Sequence, residues 1–108
     1  MIARTWHGAV EEARADEYHE YLSKTGVPDL ENTPGNRGVY VLRRYADGEA
    51  HFQLVSLWDS FDSIRAFAGD PVDKARYYPE DKEFLLELEP KVLHFDVLTS
   101  PNEARKIP

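Results

Sequence analysis

Apolar and polar positions alternate in some stretches of the chain and recur at helical spacing in others, and each pattern predicts one type of element. Residues 2–8 alternate and predict a first strand that Gly8 closes. From about residue 11 to residue 25 the apolar side chains fall on one stripe of a helix. Gly26 is expected to end that helix and Pro28 to prevent its resumption, so residues 27–38 are predicted to form a loop.

The middle of the chain predicts a β-hairpin. Residues 39–45 and 50–58 are apolar-rich strands. The turn between them contains Asp47 and Gly48, residue types that tolerate the positive φ angles of a tight turn. These two strands are therefore expected to pair antiparallel.

The segment after the hairpin predicts helices and one last strand. Asp59 or Ser60 caps a helix that Gly69 ends, and Asp70-Pro71 starts another short helical turn. The remaining predicted elements, in chain order, are a short helix at 80–86, a strand at 91–98 and a polar tail at 99–108. The order strand, helix, strand, strand, helix, strand predicts an α+β domain over residues 1–98. Its fold is expected to be ferredoxin-like, βαββαβ, with a four-stranded antiparallel sheet and the helices on one face.

The predicted strands carry large apolar groups on both faces. In the strand at 50–58, Val55 and Leu57 point away from Leu54 and Trp58. An antiparallel sheet with one wet face normally alternates apolar and polar residues, and a chain of 108 residues has no further element to cover the second face. The sequence therefore predicts a homodimer in which two sheets pack against each other.

Composition narrows the possible partners. The chain has no cysteine, which excludes disulfides and thiolate chemistry. Its net charge of −7 opposes binding to a phosphate backbone, so no nucleic-acid partner is expected. No apolar run is long enough for a signal peptide or a membrane span, and we expect a cytoplasmic protein without a membrane partner.

Candidate chemistry concentrates in residues 52–81. This stretch places Trp58 at the end of a strand and Tyr77 and Tyr78 after a helical turn, where the three aromatics can line one space. No dinucleotide or phosphate-binding glycine motif is present, and the histidines at 7, 19, 51 and 94 lack metal-ligand spacing. The sequence thus predicts neither a cofactor nor a metal.

Four stretches resemble the antibiotic biosynthesis monooxygenase family of the dimeric α+β barrel superfamily: MIARTW, PGNRGVYVLRR, LWDSFDSIRAFAG and ARYYPED. The resemblance covers about residues 1–98. It implies a homodimer with one pocket per subunit between sheet and helices. It also implies an oxygenase without metal, flavin or nicotinamide, in which a deprotonated phenol or anthrone passes an electron directly to oxygen.

The candidate catalytic residues are His94, Tyr77 and Trp58. His94 has the pKa range of a general base, whereas Tyr77 and Trp58 would shape the site. Each has a structural alternative: Trp58 can fill the core or an interface, Tyr77 can anchor packing, and a lone strand histidine can be structural. His7 and His51 are weaker candidates for the base, and His19 is expected in solvent.

The candidate substrate pocket comprises Arg4, Trp6, Phe67 and Tyr78. Arg4 shares strand parity with Trp6 and can stabilise a phenolate, although a salt bridge is the alternative role. The ligand would be a small aromatic or apolar molecule. A non-catalytic module that binds such a ligand remains an alternative function.

Haem degradation is a third possible function. The haem-degrading relatives have a strand-one asparagine, a strand-three tryptophan and a histidine after the second helix. Trp58 matches the tryptophan, but Trp6 falls near the asparagine position and Tyr77 near the histidine position. Because tyrosine can ligate haem iron, these departures weaken the resemblance without removing it.

Overall fold

The computed structural model describes residues 1–101, so residues 102–108 of the predicted tail lie outside it. Four strands form one sheet in the order β2-β3-β1-β4, and all neighbouring strands are antiparallel. This topology confirms the predicted ferredoxin-like fold. The elements in chain order are β1 (Ile2–Glu11), a 3₁₀ turn (Glu12–Arg14), α1 (Ala15–Lys24), α2 (Gly26–Asn32), β2 (Asn36–Ala46), β3 (Glu49–Trp58), α3 (Phe61–Ala68), α4 (Asp81–Phe84) and β4 (Leu93–Asp96).

The core lies between the helices and one face of the sheet, which we call the inner face. Alternate residues of the two central strands, β1 and β3, point into this core, as strand geometry requires. The buried inner-face residues of these strands are Arg4, Trp6, Val10, Ala50, Phe52, Leu54, Ser56 and Trp58. This alternation confirms the predicted assignment of faces in β3.

Gly8 does not close β1, which continues to Glu11. A Cβ atom at Gly8 would lie 2.4 Å from Cη2 of Trp6 and 2.8 Å from a methyl group of Leu85. The glycine is therefore needed because the Trp6 indole packs closely over the strand backbone. Gly8, which the sequence analysis interpreted as the end of the strand, instead leaves space for the Trp6 side chain.

The predicted loop at 27–38 was wrong in its first half, because α2 occupies Gly26–Asn32. Pro28 is the third residue of α2, where a backbone N–H would have no acceptor within the helix, so the proline removes no hydrogen bond. Leu30 is buried and holds the helix against the core. Helix α1 instead ends before Thr25, whose N–H donates to the carbonyls of Tyr21 and Leu22.

The hairpin and the start of α3 agree with the sequence prediction. Asp47 and Gly48 form the turn between β2 and β3 with φ angles of 54° and 77°. The Ser60 hydroxyl caps α3 by accepting the Ser63 N–H at 3.2 Å. Gly69 follows the helix with φ 77°, a conformation that favours glycine.

The helical turn predicted after Asp70-Pro71 was also wrong. Residues 71–74 form a turn instead, in which the Lys74 N–H donates to the Pro71 carbonyl at 3.1 Å. The following backbone pairs with the segment before β4: the Ala75 N–H donates to the Pro90 carbonyl at 2.9 Å, and the Val92 N–H donates to the Asp73 carbonyl at 2.8 Å. These long-range bonds use the groups that a helix would have paired locally. The final strand and the last helix are shorter than predicted.

The other face of the sheet, which we call the outer face, has no helix across it in the described chain. Thr5 pairs across the sheet with Val55 and Leu93, and Val55 pairs with Tyr40, so these side chains form one row. Large apolar side chains of β2 and β4 are exposed here: Tyr40 at 47%, Leu42 at 48%, Phe95 at 52% and Leu93 at 64%. None of the helices within residues 1–101 is long and apolar enough to cross a membrane.

Candidate functional site

A cavity of about 40 Å³ lies between the inner face and the helices. Strands β1 and β3 form its floor, helices α1 and α2 one side, and α3 with the segment leading to α4 the other. The apolar lining residues are Trp6, Leu22, Gly26, Leu30, Leu54 and Phe67. The lining residues with polar groups are Arg4, Tyr18, Ser56, Arg76, Tyr78 and Asp81.

Arg4 brings a buried positive charge to the cavity floor. The residue is 3% exposed, and its guanidinium donates from Nη1 to the Val72 carbonyl at 2.9 Å and from Nη2 to the Lys74 carbonyl at 3.1 Å. Burial lowers the pKa of Arg4 to about 10, and the more distant Asp73 carboxylate partly opposes that shift. Within residues 1–101 Arg4 forms no ion pair, and its charge is met by two neutral carbonyls and by the Phe67 ring, whose centroid lies 5.6 Å from Cζ.

Trp6 contributes its indole to the lining of the same cavity. The residue is 8% exposed, and its indole Nε1 is buried without a hydrogen bond of normal geometry in the described chain. Its rings meet Tyr77 edge to face, with centroids 6.2 Å apart. A buried donor without a well-formed hydrogen bond normally costs free energy, and the Tyr77 hydroxyl offsets part of that cost, since the Trp6 N–H opposes the rise in the pKa of Tyr77 that burial causes.

The solvent-exposed rim of the cavity consists of Phe67, Arg76 and Tyr78. Cζ of Arg76 lies 4.8 Å from the Phe67 ring centroid and 5.4 Å from that of Tyr78. The Tyr78 hydroxyl donates to Oδ2 of Asp29 at 2.6 Å, and Nη2 of Arg76 lies 3.6 Å from the same oxygen. Burial and the bond to Asp29 raise the pKa of Tyr78, so its phenol stays protonated at neutral pH.

Asp81 is the negatively charged residue of the lining, and both of its carboxylate oxygens accept hydrogen bonds within the protein. Oδ1 accepts the Tyr18 hydroxyl at 2.8 Å, and Oδ2 accepts the Tyr78 N–H at 2.7 Å. Burial, followed by the Asp81 charge, raises the pKa of Tyr18. Asp81 therefore fixes α4 and the rim to α1, which leaves it poorly suited to take a proton from a ligand.

The four residues predicted for the substrate pocket, Arg4, Trp6, Phe67 and Tyr78, all line the cavity. The three predicted catalytic residues do not. Trp58 is fully buried and its Nε1 donates to Oγ of Ser56 at 2.8 Å, so it supports a lining residue from behind. The Tyr77 hydroxyl donates to the Glu89 carbonyl, and burial raises the pKa of Tyr77.

His94 lies on β4 directly opposite Arg4 of β1. Its ring meets Phe61 edge to face at 5.4 Å, and its Nε2 is buried without a partner among the described residues. Burial lowers the pKa of His94, the Arg4 charge adds to that effect, and Asp73 opposes it. The imidazole is therefore neutral at pH 7 and has a lone pair to accept a proton.

The other histidines lie away from the cavity. On the outer face, Nε2 of His7 is 3.0 Å from Nδ1 of His51, and Nδ1 of His7 is 2.6 Å from Oε2 of Glu89. Nε2 of His51 lies 3.3 Å from Oε1 of Glu49. His19 is exposed on α1, as expected. His94 is thus the histidine that shares the inner face with Arg4.

Sequence reasoning missed several lining residues for identifiable reasons. Leu30 was missed because residues 27–38 were interpreted as a loop. Asp81 was missed because nothing in the local sequence predicts its bond to Tyr18. Arg76, by contrast, adjoins the two tyrosines in the ARYYPED stretch, and that position was a usable signal for a rim residue.

The fold and cavity define an antiparallel α+β protein with a small pocket beneath its helices, and solved structures share this architecture. MhuD, a haem-degrading protein of Mycobacterium tuberculosis solved with two haems in its active site, matches at 21% identity with a TM-score of 0.60, over 93% of this chain and 98% of that one. A candidate antibiotic biosynthesis monooxygenase of Nitrosomonas europaea matches at 14% identity with a TM-score of 0.65, over 92% of this chain and 100% of that one.

A candidate antibiotic biosynthesis monooxygenase of Bacillus cereus matches at 14% identity with a TM-score of 0.63, over 92% of this chain and 94% of that one. No protein-family model matches this sequence, and no curated protein does. The resemblance predicted from the sequence is therefore confirmed as a shared fold.

Proposed function

We propose that this protein is a cofactor-independent oxygenase that oxidises a small electron-rich aromatic molecule in the cavity. The observation that carries the proposal is the buried Arg4 guanidinium, which has no ion pair within residues 1–101 and lines the cavity beside the Trp6 and Phe67 rings. A cation in a water-poor site stabilises a phenolate, the form that passes an electron to oxygen. The aromatic lining would hold the ring.

His94 is the proposed base, and because it lies beside Arg4 and outside the present lining, the ligand would reach it only after the cavity widens. Its neutral imidazole shares the inner face with Arg4, and its Nε2 is buried without a partner in the described chain. For an anthrone, loss of a proton from the central CH₂ group gives the carbanion that reacts with oxygen. One oxygen atom then becomes the new carbonyl and the other leaves as water, so no external reductant is needed. Tyr77 and Trp58 act as positioning residues behind Trp6 and Ser56.

The cavity must widen to admit such a ligand. A volume of about 40 Å³ holds a few water molecules, whereas pockets for drug-sized ligands begin at about 300 Å³. Phe67, Arg76 and Tyr78 are the partly exposed lining residues, so the proposal requires their side chains to move outward. The backbone of the sheet would stay in place.

The proposal includes a homodimer formed through the outer face. Tyr40, Leu42, Leu93 and Phe95 expose about half or more of their surface there, and burying each would contribute roughly 1.5–3 kcal/mol. A second copy offers the same apolar surface, which suits a two-fold interface. The cytoplasmic location likewise stays a prediction.

Oxygen consumption by metal-free protein tests this function. With an anthrone or a dihydroxynaphthalene, the protein should consume oxygen faster than the uncatalysed reaction. His94→Ala should lower the rate by about 10²-fold or more if His94 is the base. His19→Ala, an exposed histidine on α1, should leave it unchanged. Tight binding of the aromatic without turnover would contradict the oxygenase and favour a non-catalytic binding module.

Haem binding is a second candidate, favoured by the similarity in fold to MhuD. The residues of the cavity do not fit the group as they stand. No histidine belongs to the described lining, the Tyr78 phenol is held by Asp29, and the volume is far below that of a porphyrin. A haem titration without a shift of the Soret band would exclude this candidate, whereas a saturable shift would establish it.

A further inference from the structure

We propose that the ligand of this cavity carries a carboxylate, which Arg4 and the indole N–H of Trp6 bind together. The inference rests on the proposed function in that it concerns the same cavity, and it adds the chemical class of the ligand. Both groups line the cavity, both belong to β1, and both are more than nine-tenths buried. Two residues apart on one strand, they point to the same face.

The charge balance of the floor favours a permanent anion. Two of the five N–H groups of Arg4 donate to the Val72 and Lys74 carbonyls, and neither carbonyl carries a formal charge. A neutral phenol would leave that charge uncompensated until the proton was lost. A carboxylate compensates it on binding, because it is ionised at neutral pH and its two oxygens match the guanidinium fork.

The Trp6 Nε1 is a second buried donor on a lining residue, with no hydrogen bond of normal geometry within residues 1–101. An indole N–H donates and cannot accept, and within residues 1–101 the Tyr77 hydroxyl satisfies it only in part, so an acceptor on the ligand can complete its hydrogen bonding. A carboxylate offers two acceptor oxygens, and after one binds Arg4 the other remains available. An aromatic hydrocarbon would satisfy neither group.

The remaining charges of the cavity allow this assignment. The Asp81 carboxylate is occupied by the Tyr18 hydroxyl and the Tyr78 N–H. Arg76 adds a second positive charge at the rim, where Asp29 lies 3.6 Å from it and partly neutralises it. Arg4 is thus the buried cation of the floor, whereas the Asp81 carboxylate keeps its charge on the α4 side of the lining, so the anion would bind against Arg4 with the aromatic ring toward the rim.

Calorimetric titration with 2-naphthoate and with the neutral 2-naphthalenemethanol tests the inference. The two probes share a ring system and differ in charge. The protein should bind the carboxylate at least about ten-fold more tightly, as expected for a charge-assisted hydrogen bond. The preference should persist at 0.5 M salt, because buried charges are screened much less than exposed ones. Arg4→Met should abolish it.

A second variant covers the case in which Arg4→Met fails to fold. Trp6→Phe keeps an aromatic ring and removes the N–H, so it should reduce the preference by several-fold while circular dichroism and thermal melting report a folded chain. Arg37→Met, which removes an exposed arginine paired with Asp59, should leave the preference intact. Equal affinities for the two probes would overturn the carboxylate inference alone. Failure of both probes to bind would overturn both the inference and the proposed ligand site.

Discussion

The two faces of the sheet are incomplete in opposite ways. Within residues 1–101 the inner face buries polar groups with few polar partners: the His94 Nε2 has no hydrogen-bond partner, and the Arg4 guanidinium has no carboxylate in contact with it. The outer face exposes apolar groups that lack an apolar cover, among them Leu93 and Phe95. The buried polar groups of the inner face predict a small ligand with polar groups, and the exposed apolar groups of the outer face predict a large apolar partner. The exposed or unpaired groups of each face therefore indicate the chemistry of the molecule that would bind there.

The largest expected effect is on the outer face. Phe95→Glu should raise the dissociation constant of the proposed dimer by on the order of a hundred-fold, because a symmetric interface carries the lost apolar contact and the buried charge twice. Sedimentation velocity across a concentration series measures this constant. Phe95→Leu keeps the site apolar and should change it little. Ser23→Glu adds the same charge on the exposed side of α1 and serves as the second control.

A monomeric wild-type protein at micromolar concentration would contradict the interpretation of the outer face. The cavity would then need no second copy, and the apolar residues of β4 would require another explanation. The interpretation of the inner face does not depend on that result.

The next effect concerns the packing of the inner face. Gly8→Ala should lower the free energy of unfolding by about 1–3 kcal/mol, because the new methyl group would lie 2.4 Å from Cη2 of Trp6 and displace the indole. Gly26→Ala is the matched control. Its Cβ would meet only Tyr78 at 3.6 Å, an ordinary contact, so the change should be neutral or slightly stabilising. Urea denaturation measures both, and equal losses would show that Trp6 is not tightly constrained by the strand.

The smallest effect is a pH dependence at His94. In the unfolded chain a histidine titrates near 6.5, and in the folded chain burial and Arg4 lower the pKa of His94 below that value. As the pH falls through 6.5, the unfolded state gains a proton that the folded state resists, so stability should decrease and then level off below the folded pKa.

His94→Asn should remove that part of the slope between pH 7.5 and pH 5, as measured by urea denaturation at each pH. His19→Asn, which changes a solvent-exposed histidine, should leave the slope unchanged. An identical slope in wild type and His94→Asn would mean that His94 titrates as it does in water, and it would weaken its assignment as a neutral base.

The fold was predictable from local signals that agree with one another. Asp47-Gly48, Ser60 and Gly69 each favour one backbone conformation, and the apolar alternation of β3 assigned the faces correctly. The errors came from residues whose meaning depends on distant partners. Pro28 is compatible with either a loop or a first helical turn, and only the burial of Leu30 decides between them. Pro71 indicated a helix start, but long-range pairing with the segment before β4 took the backbone groups.

The residues of the candidate site were likewise predictable where local sequence decides their position and were missed where distant partners decide it. Strand parity was enough to place Arg4 and Trp6 on one face, and the aromatic clustering of the 52–81 stretch led to Tyr78. Parity cannot tell whether a strand-end tryptophan lines a cavity or lies behind it, so the position of Trp58 behind Ser56 could not be read from the sequence. The role of Asp81 depends on a bond to a residue 63 positions away, which no local pattern encodes.

The Phe67 ring links the two cations of the cavity and has a kinetic consequence. Cζ of Arg4 lies 5.6 Å from its centroid on the side of the floor, and Cζ of Arg76 lies 4.8 Å from it at the rim. Moving the ring aside weakens two cation–π contacts at once. We therefore expect ligand association to be slower than diffusional encounter, with the rate of entry set by how often Phe67 moves outward together with Arg76 and Tyr78.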